Sequence, residues 1–416
     1  MDVKARKAIE ALRCGVPNAE VVRELGCDQA DAEQHFCTLL SEEKGALAPN
    51  DGPRCRGMLV SGGFGSGKSH LLNYLEQLAL NENFVCSRVT ISKETPLYDD
   101  ARVFRAAVRQ AMVPRRAGPL FEELCSGDWW NQPAGSELLR NTEQKGQRGE
   151  LATMFAATLR VYQDDWDAAL RTSIEGWWSG EKLRVADVRD ALKRMECHRD
   201  VPCRGAKAHE LPSQRAHFAA DFIRARYRGW VLLLDELELI GQYSRLQRAR
   251  SYAALSRWMG IDQSALAPEI VVVGAISDDY AAEKIGSEKS AGDRSSAITT
   301  LAARPRHKHL RDACKAGMQF IERNCIELGE PGEERNREIL ERLGNIYSRA
   351  YNWETPPATP LSNAGASWTK MRHRIRAPIE EWDILRMDPE TTPHIIAEEE
   401  RTDYTERTEL EKEASE

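Results

Sequence analysis

The stretch "MLVSGGFGSGKSHLL", residues 58–72, decides how the rest of the chain is read. An apolar run enters it, a glycine-rich turn follows, and a helical pattern leaves it. Gly62, Gly63, Phe64, Gly65, Ser66, Gly67, Lys68 and Ser69 fit G-x-x-x-x-G-K-[ST], the phosphate-binding loop. The glycines let successive backbone N–H groups turn inward around an anion, and a helix N-terminus adds positive potential. In such a loop Lys68 lies on the β- and γ-phosphates of ATP and the hydroxyl of Ser69 on Mg²⁺. His70 closes the stretch that would face the nucleotide.

Working outward, strand and helix patterns alternate. "FVCSRVTIS" (84–92), "GWVLLLDE" (229–236) and "EIVVVGAIS" (269–277) follow "GMLVS" (57–61) as near-continuous apolar runs. Such strands are buried on both faces, so the expected fold is α/β, a parallel sheet between helices. Roughly 135 residues separate the second and third runs, where a crossover needs about a dozen, so a helical insertion is expected at about 115–215. It holds Trp129, Trp130, Trp166, Trp177 and Trp178, five of the chain's 10 tryptophans. Paired tryptophans serve as interface anchors or, more commonly, as core.

The third run ends in Asp235 and Glu236, adjacent carboxylates at the sheet edge where ligands of open parallel sheets collect. Asp235 is expected to hold Mg²⁺, and Glu236 to orient and deprotonate the water that attacks the γ-phosphate. The fourth run brings Ser277 to the same edge, within reach of the γ-phosphate or that water. Asp278 and Asp279 read as caps of the next helix. Arginines that could meet the γ-phosphate include Arg294, Arg304, Arg306 and Arg311, and, beyond a proline-rich break, Arg372, Arg374 and Arg376.

Residues 1–45 read as three short helices with helix-turn-helix spacing. The would-be recognition helix carries Asp28, Asp31 and Glu33 and no lysine or arginine, the wrong sign for phosphates, so packing or protein docking is the favoured role. The core is expected over 54–300, a C-terminal helical lid or winged-helix-like domain over 301–390, and an acidic disordered tail over 391–416. The net charge of −7 fits an ordinary globular protein, and the basic clusters "RPRHKHLR" and "KMRHRIR" keep direct DNA contact open. The 10 cysteines are scattered without a CxxC pair. Cys197, His198, Cys203, His209 and His217 gather in one span but lack the paired spacings of a zinc site. No run of about 18 apolar residues occurs, so no membrane contact and a cytoplasmic location are expected.

"GGFGSGKSHLL", "LLLDE" and "VVVGAIS" together resemble the AAA+ branch of P-loop ATPases, near the initiator and loader group. "AIEALRCGVPNAEVVRELG", "NFVCSRVTISKETPLYDDARVFRAAV" and "GWVLLLDELELIGQYSRLQRARSYAALSRWMG" are similar to the ATP-binding P-loop family of bacterial BREX phage-defence systems. The resemblance implies an AAA+/ASCE-like P-loop NTPase using ATP and Mg²⁺. It also implies partners: a helicase, a methyltransferase and a second ATPase of the same systems, DNA, and further copies of the chain. In AAA+ relatives an arginine of the helical lid senses the γ-phosphate, and Arg372 in "WTKMRHRIR" is the best match.

Overall fold

A computed structural model describes residues 2–15, 18–41, 56–116, 118–127, 129–164, 167–197, 199–261, 269–286, 292–358, 370–391, 393 and 403–407. Trp166, His198 and most of the acidic tail lie outside them.

The chain opens with α1 (Val3–Arg13), α2 (Ala19–Leu25) and α3 (Ala30–Ser41). Asp2 starts α1 by accepting from the N–H groups of Lys4 and Ala5. Its Ala5, Ala8, Ile9 and Leu12 recur at helical spacing and are buried. Then come β1 (Gly57–Ser61), α4 (Lys68–Asn81), β2 (Val85–Thr90), α5 (Asp100–Arg109) and a two-residue strand β3 (Ala111–Met112). The insertion supplies α6 (Leu120–Cys125), α7 (Pro133–Gln147), α8 (Thr153–Asp164), α9 (Ala168–Trp178), α10 (Val185–Arg194) and α11 (Leu211–Arg224). After it run β4 (Trp230–Asp235), α12 (Arg245–Met259), β5 (Ile270–Ile276), α13 (Asp293–Ala302), α14 (Arg311–Arg323) and β6 (Cys325–Glu327). α15 (Glu333–Tyr351) and α16 (Met371–Met387) complete the α-helices among the described residues.

Among the described residues the sheet runs β3-β2-β4-β5-β1-β6. Every pairing is parallel except β2 with β3. β1, β4 and β5 are buried along their whole length, as their unbroken apolar runs require. β6 pairs with β1 and so draws residues of the expected 301–390 stretch into the central sheet. The helices beyond it are α15 and α16.

Those two helices share one hydrophobic core with α1 and α2: Ile9, Leu12, Val21, Leu343, Tyr347 and Trp382 all belong to it. The first two and the last two of these helices are therefore built together. α3 instead lays Phe36, Leu39 and Leu40 in the core under α4 and the sheet, which buries the apolar face of the would-be recognition helix. On the other side of the sheet, the insertion is continuous with the core. Trp129, Trp177 and Trp178 are buried there among Phe121, Phe155, Phe218 and Phe222.

Five residues of the stretch expected to be a disordered tail, 403–407, lie against the body. Gln242 donates to the Asp403 carbonyl at 2.9 Å, the Arg407 N–H donates to the Gln242 carbonyl at 3.0 Å, and Arg248 reaches Glu406 at 2.5 Å. No helix among the described residues is long and apolar enough to cross a membrane.

Candidate functional site

The register brings the strand ends together. Ser61 pairs with Ile276 and Thr90 with Asp235, so the loop after β1, Asp235 and Ser277 emerge at one edge of the sheet. Because β5 lies between β1 and β4, Ser277 stands between the glycine-rich loop and the acidic pair.

Gly65 (φ +79°) and Gly67 (φ +105°) adopt backbone that L side chains rarely take, which is why the loop needs glycine there. The turn feeds directly into α4, whose first residue is Lys68. The Lys68 ammonium is buried and donates to the carbonyls of Gly62 (2.7 Å) and Gly63 (3.2 Å), with Glu238 3.8 Å away. Ser69 Oγ donates to Asp235 Oδ2 at 3.1 Å. Two groups 166 residues apart in sequence thus meet at the point their separate motifs assign to one metal ion.

The same Asp235 oxygen accepts from Arg88 Nη2 at 2.6 Å, and Arg88 Nη1 donates to Asn73 Oδ1 at 2.6 Å. The other oxygen, Oδ1, accepts the Glu236 N–H at 3.0 Å. Glu236 sits in left-handed backbone (φ +59°), which turns the chain sharply off β4. Burial raises the Glu236 carboxyl above the ordinary glutamate range, and the neighbouring Asp235 charge adds to the shift. Glu238 is raised by burial too, against the pull of Lys68, and its Oε2 is buried without a hydrogen-bond partner.

Ser277 Oγ donates to Asp279 Oδ1 at 2.6 Å, and Tyr404 from the far end of the chain donates to that same oxygen at 2.5 Å. Asp278 faces the loop: a Cβ added to Gly63 would lie 3.5 Å from its carboxylate. Arg372, at the start of α16, donates its backbone N–H to the Gly65 carbonyl at 3.0 Å, and its guanidinium lies 5.1 Å from the centre of the Phe64 ring. Gly15, at the end of α1, closes on the same guanidinium, since a Cβ there would come within 3.1 Å of it. The His70 ring turns elsewhere. Its Nε2 lies 2.6 Å from the Gly26 carbonyl, which only accepts, so that nitrogen carries the proton, and burial lowers the ring's pKa. His70 thus ties α4 to the turn between α2 and α3.

A triphosphate and Mg²⁺ fit these residues. Ser66 Oγ is buried in the loop without a hydrogen-bond partner, and nothing lies within 4 Å of where a Gly67 Cβ would stand. Ser69 and Asp235 offer two hard oxygen donors, and Mg²⁺ commonly takes one or two carboxylates or hydroxyls and keeps its remaining waters. Of the arginines considered from sequence, Arg372 meets the loop, whereas Arg294 pairs with Glu322, Arg374 with Glu330 and Arg376 with Glu380. In the cysteine and histidine span, Cys203 is buried and His217 pairs with Glu269 at 3.2 Å.

Sequence reasoning missed Arg88, Glu238 and Tyr404. Arg88 left a signal, a lone charge inside the apolar run of β2. Glu238 and Tyr404 left none.

The mostly parallel six-stranded sheet flanked by helices is compatible with a P-loop NTPase. Residues 33–120, which hold the loop, α4, β2 and α5, match the family model described as "BREX system ATP-binding protein BrxC/D". No curated protein and no solved structure matches the chain. The match supports ATP as the ligand of this site.

Proposed function

We propose that this chain is an ATPase of a BREX phage-defence system, of the BrxD type, that binds and hydrolyses ATP with Mg²⁺ to drive or license assembly of a defence complex on DNA. The observation that carries the reading is the 3.1 Å contact of Ser69 with Asp235 beside a buried Lys68. The AAA+ reading draws support from the strand order and from a lid helix that reaches the loop through Arg372.

The roles follow from position. Lys68 and the N–H groups of residues 63–69 bind the phosphates, and Ser69 and Asp235 hold the metal. Bound Mg²⁺ would supply charge neutralisation on the phosphate oxygens. Glu236, its proton affinity raised by burial, orients the attacking water and accepts its proton. Ser277 senses the γ-phosphate, and Arg372 couples the lid to the loop tip. In a cytoplasmic assembly such coupling would let nucleotide state reach α1, α2, α15 and α16 as one body, whether the chain acts alone or as a homo-oligomer.

The test is ATP turnover of the purified chain alone, with single- and double-stranded DNA, and with each neighbouring defence protein. Lys68→Ala should lower turnover by at least roughly 100-fold, the usual cost of one transition-state charge, and Glu236→Gln should trap bound ATP. Turnover unchanged in Lys68→Ala sinks the reading.

A slow assembly switch is the second reading. Arg88 favours it, because that guanidinium already satisfies the Asp235 oxygen that the metal needs. Assembly would then survive Glu236→Gln and fail in Lys68→Ala.

A further inference from the structure

The two basic stretches are disposed of differently by the fold. In 370–376 the three arginines are engaged within the molecule: Arg372 covers Phe64, Arg374 reaches Glu330 and Arg376 reaches Glu380. In 304–311 they are not. Pro305–Leu310 forms a 3-10 turn with no buried residue, between α13 and α14. Among the described residues, Arg304, Arg306, Lys308 and Arg311 are in no ion pair, while Arg294 on α13 takes Glu322 at 2.5 Å. Asp312 is the nearest carboxylate in sequence.

The charges bearing on His307 come from Arg250, His309, Arg304 and Arg306, so α12 adds Arg250 to the same surface. Arg250 in turn lies 4.9 Å from the centre of the Tyr98 ring, in the loop after β2. That loop starts at Ile91, whose N–H donates to the Asp235 carbonyl at 2.9 Å. The exposed basic turn therefore lies near Arg250 of α12, which in turn meets the loop that runs from the candidate site.

Like charges gathered on one short turn repel, and the turn gives the core only the half-buried Leu310 in return. Its composition selects the partner. A protein interface needs apolar or aromatic anchors at its centre, and the turn offers only an exposed Pro305 and a half-buried Leu310. Single-strand binding relies on stacking aromatics, and the turn has no Phe, Tyr or Trp. A duplex backbone asks only for cations at its phosphates.

The geometry points to the Arg304–Arg311 turn as a docking surface for the phosphate backbone of double-stranded DNA, without base reading. This rests on the proposed function only for the choice of DNA over RNA; its test uses no nucleotide.

Fluorescence anisotropy of a labelled duplex against the full-length protein, across about 50 to 200 mM salt, reads the contact directly. The wild-type affinity should fall steeply and linearly on logarithmic axes. Arg304→Ala/Arg306→Ala/Lys308→Ala should cut affinity at least 10-fold and flatten the slope by roughly 2 to 3, at about 0.9 per lost phosphate contact. Arg374→Ala/Arg376→Ala, which removes paired arginines, should leave both unchanged. The surface is wrongly assigned if the triple variant binds like wild type, if the wild type fails to bind at low salt, or if a single strand binds more tightly than the duplex. Thermal melts of each variant separate lost contact from lost fold. ATP retention by the same preparation reports on the nucleotide site independently, so failure of either reading is seen apart from the other.

Discussion

Arg88 Nη2 stands 2.6 Å from Asp235 Oδ2, the oxygen that also accepts the Ser69 hydroxyl. An arginine and a metal ion would therefore compete for the same carboxylate. Asp235 is buried while about a quarter of Arg88 is open to solvent. Breaking a fully buried pair from one side costs about 3–5 kcal/mol, and with this exposure roughly 1–2 kcal/mol is expected for Arg88→Ala. Because Mg²⁺ can replace the lost charge, millimolar MgCl₂ should restore part of the melting temperature in the variant and have little effect on the wild type. Equal shifts in both proteins would show that Arg88 does not shield the metal position.

Gly65 and Arg372 yield a second prediction. Gly65 has φ +79°, and an added Cβ would lie 3.0 Å from the Arg372 Cβ. Gly65→Ala should therefore strain the backbone by about 1–2 kcal/mol and push α16 off the loop tip. ATP affinity should fall roughly 10-fold, which is about 1.4 kcal/mol. Gly149→Ala is the control, because Gly149 has φ +76° and nothing within 4 Å of the added atom. It should cost similar stability and leave ATP affinity alone. Fluorescent-nucleotide titration of the two variants decides the matter.

The contrast between these residues shows what the sequence could carry. The phosphate loop and the acid pair were legible because each is a local pattern: a strand, a turn that needs glycine, a helix start. Their 3.1 Å meeting follows from two motifs, distant in sequence, being delivered to one sheet edge. Glu238 and Tyr404 were not legible, and Arg88 showed only as a lone charge in an apolar run, because their roles exist only through partners 170, 125 and 147 residues away. β6 escaped notice for another reason. At three residues, half-buried or exposed, it has no apolar run to announce it, and only pairing with β1 makes it a strand. The shared core of α1, α2, α15 and α16 was hidden likewise, since an amphipathic pattern tells which face is buried and not what covers it.

Glu236 supplies a pH test. Its carboxyl is raised above the ordinary range, first by burial and then by Asp235, so ionisation costs more in the folded than in the unfolded chain. That penalty is absent below the ordinary glutamate pKa, grows as pH rises through the raised value, and is complete above it. Glu236→Gln removes it. The melting temperature of Glu236→Gln minus that of wild type should therefore be larger at about pH 8 than at about pH 4.5. A difference that is flat or reversed across that window would mean the carboxylate is stabilised where it stands.

Tyr404 and Ser277 both donate to Asp279 Oδ1, at 2.5 and 2.6 Å. The Ser277 hydroxyl has one proton, so it must leave Asp279 to bond a γ-phosphate. A second donor on the same oxygen weakens the hold, and Tyr404 is kept there by Lys284, which donates to its carbonyl at 2.6 Å, and by the Tyr280 ring 5.7 Å away. Tyr404→Phe removes the competing donor and keeps the ring. Ser277 is then tied more firmly to Asp279, and turnover should fall about fivefold, the equivalent of one hydrogen bond of roughly 1 kcal/mol, with KM little changed. Ser277→Ala lowers turnover by itself, and in that background Tyr404→Phe should do nothing further, since the coupled pair has already been broken. If Tyr404→Phe costs the same fivefold with and without Ser277, the end of the chain acts on the site by some route other than this shared oxygen.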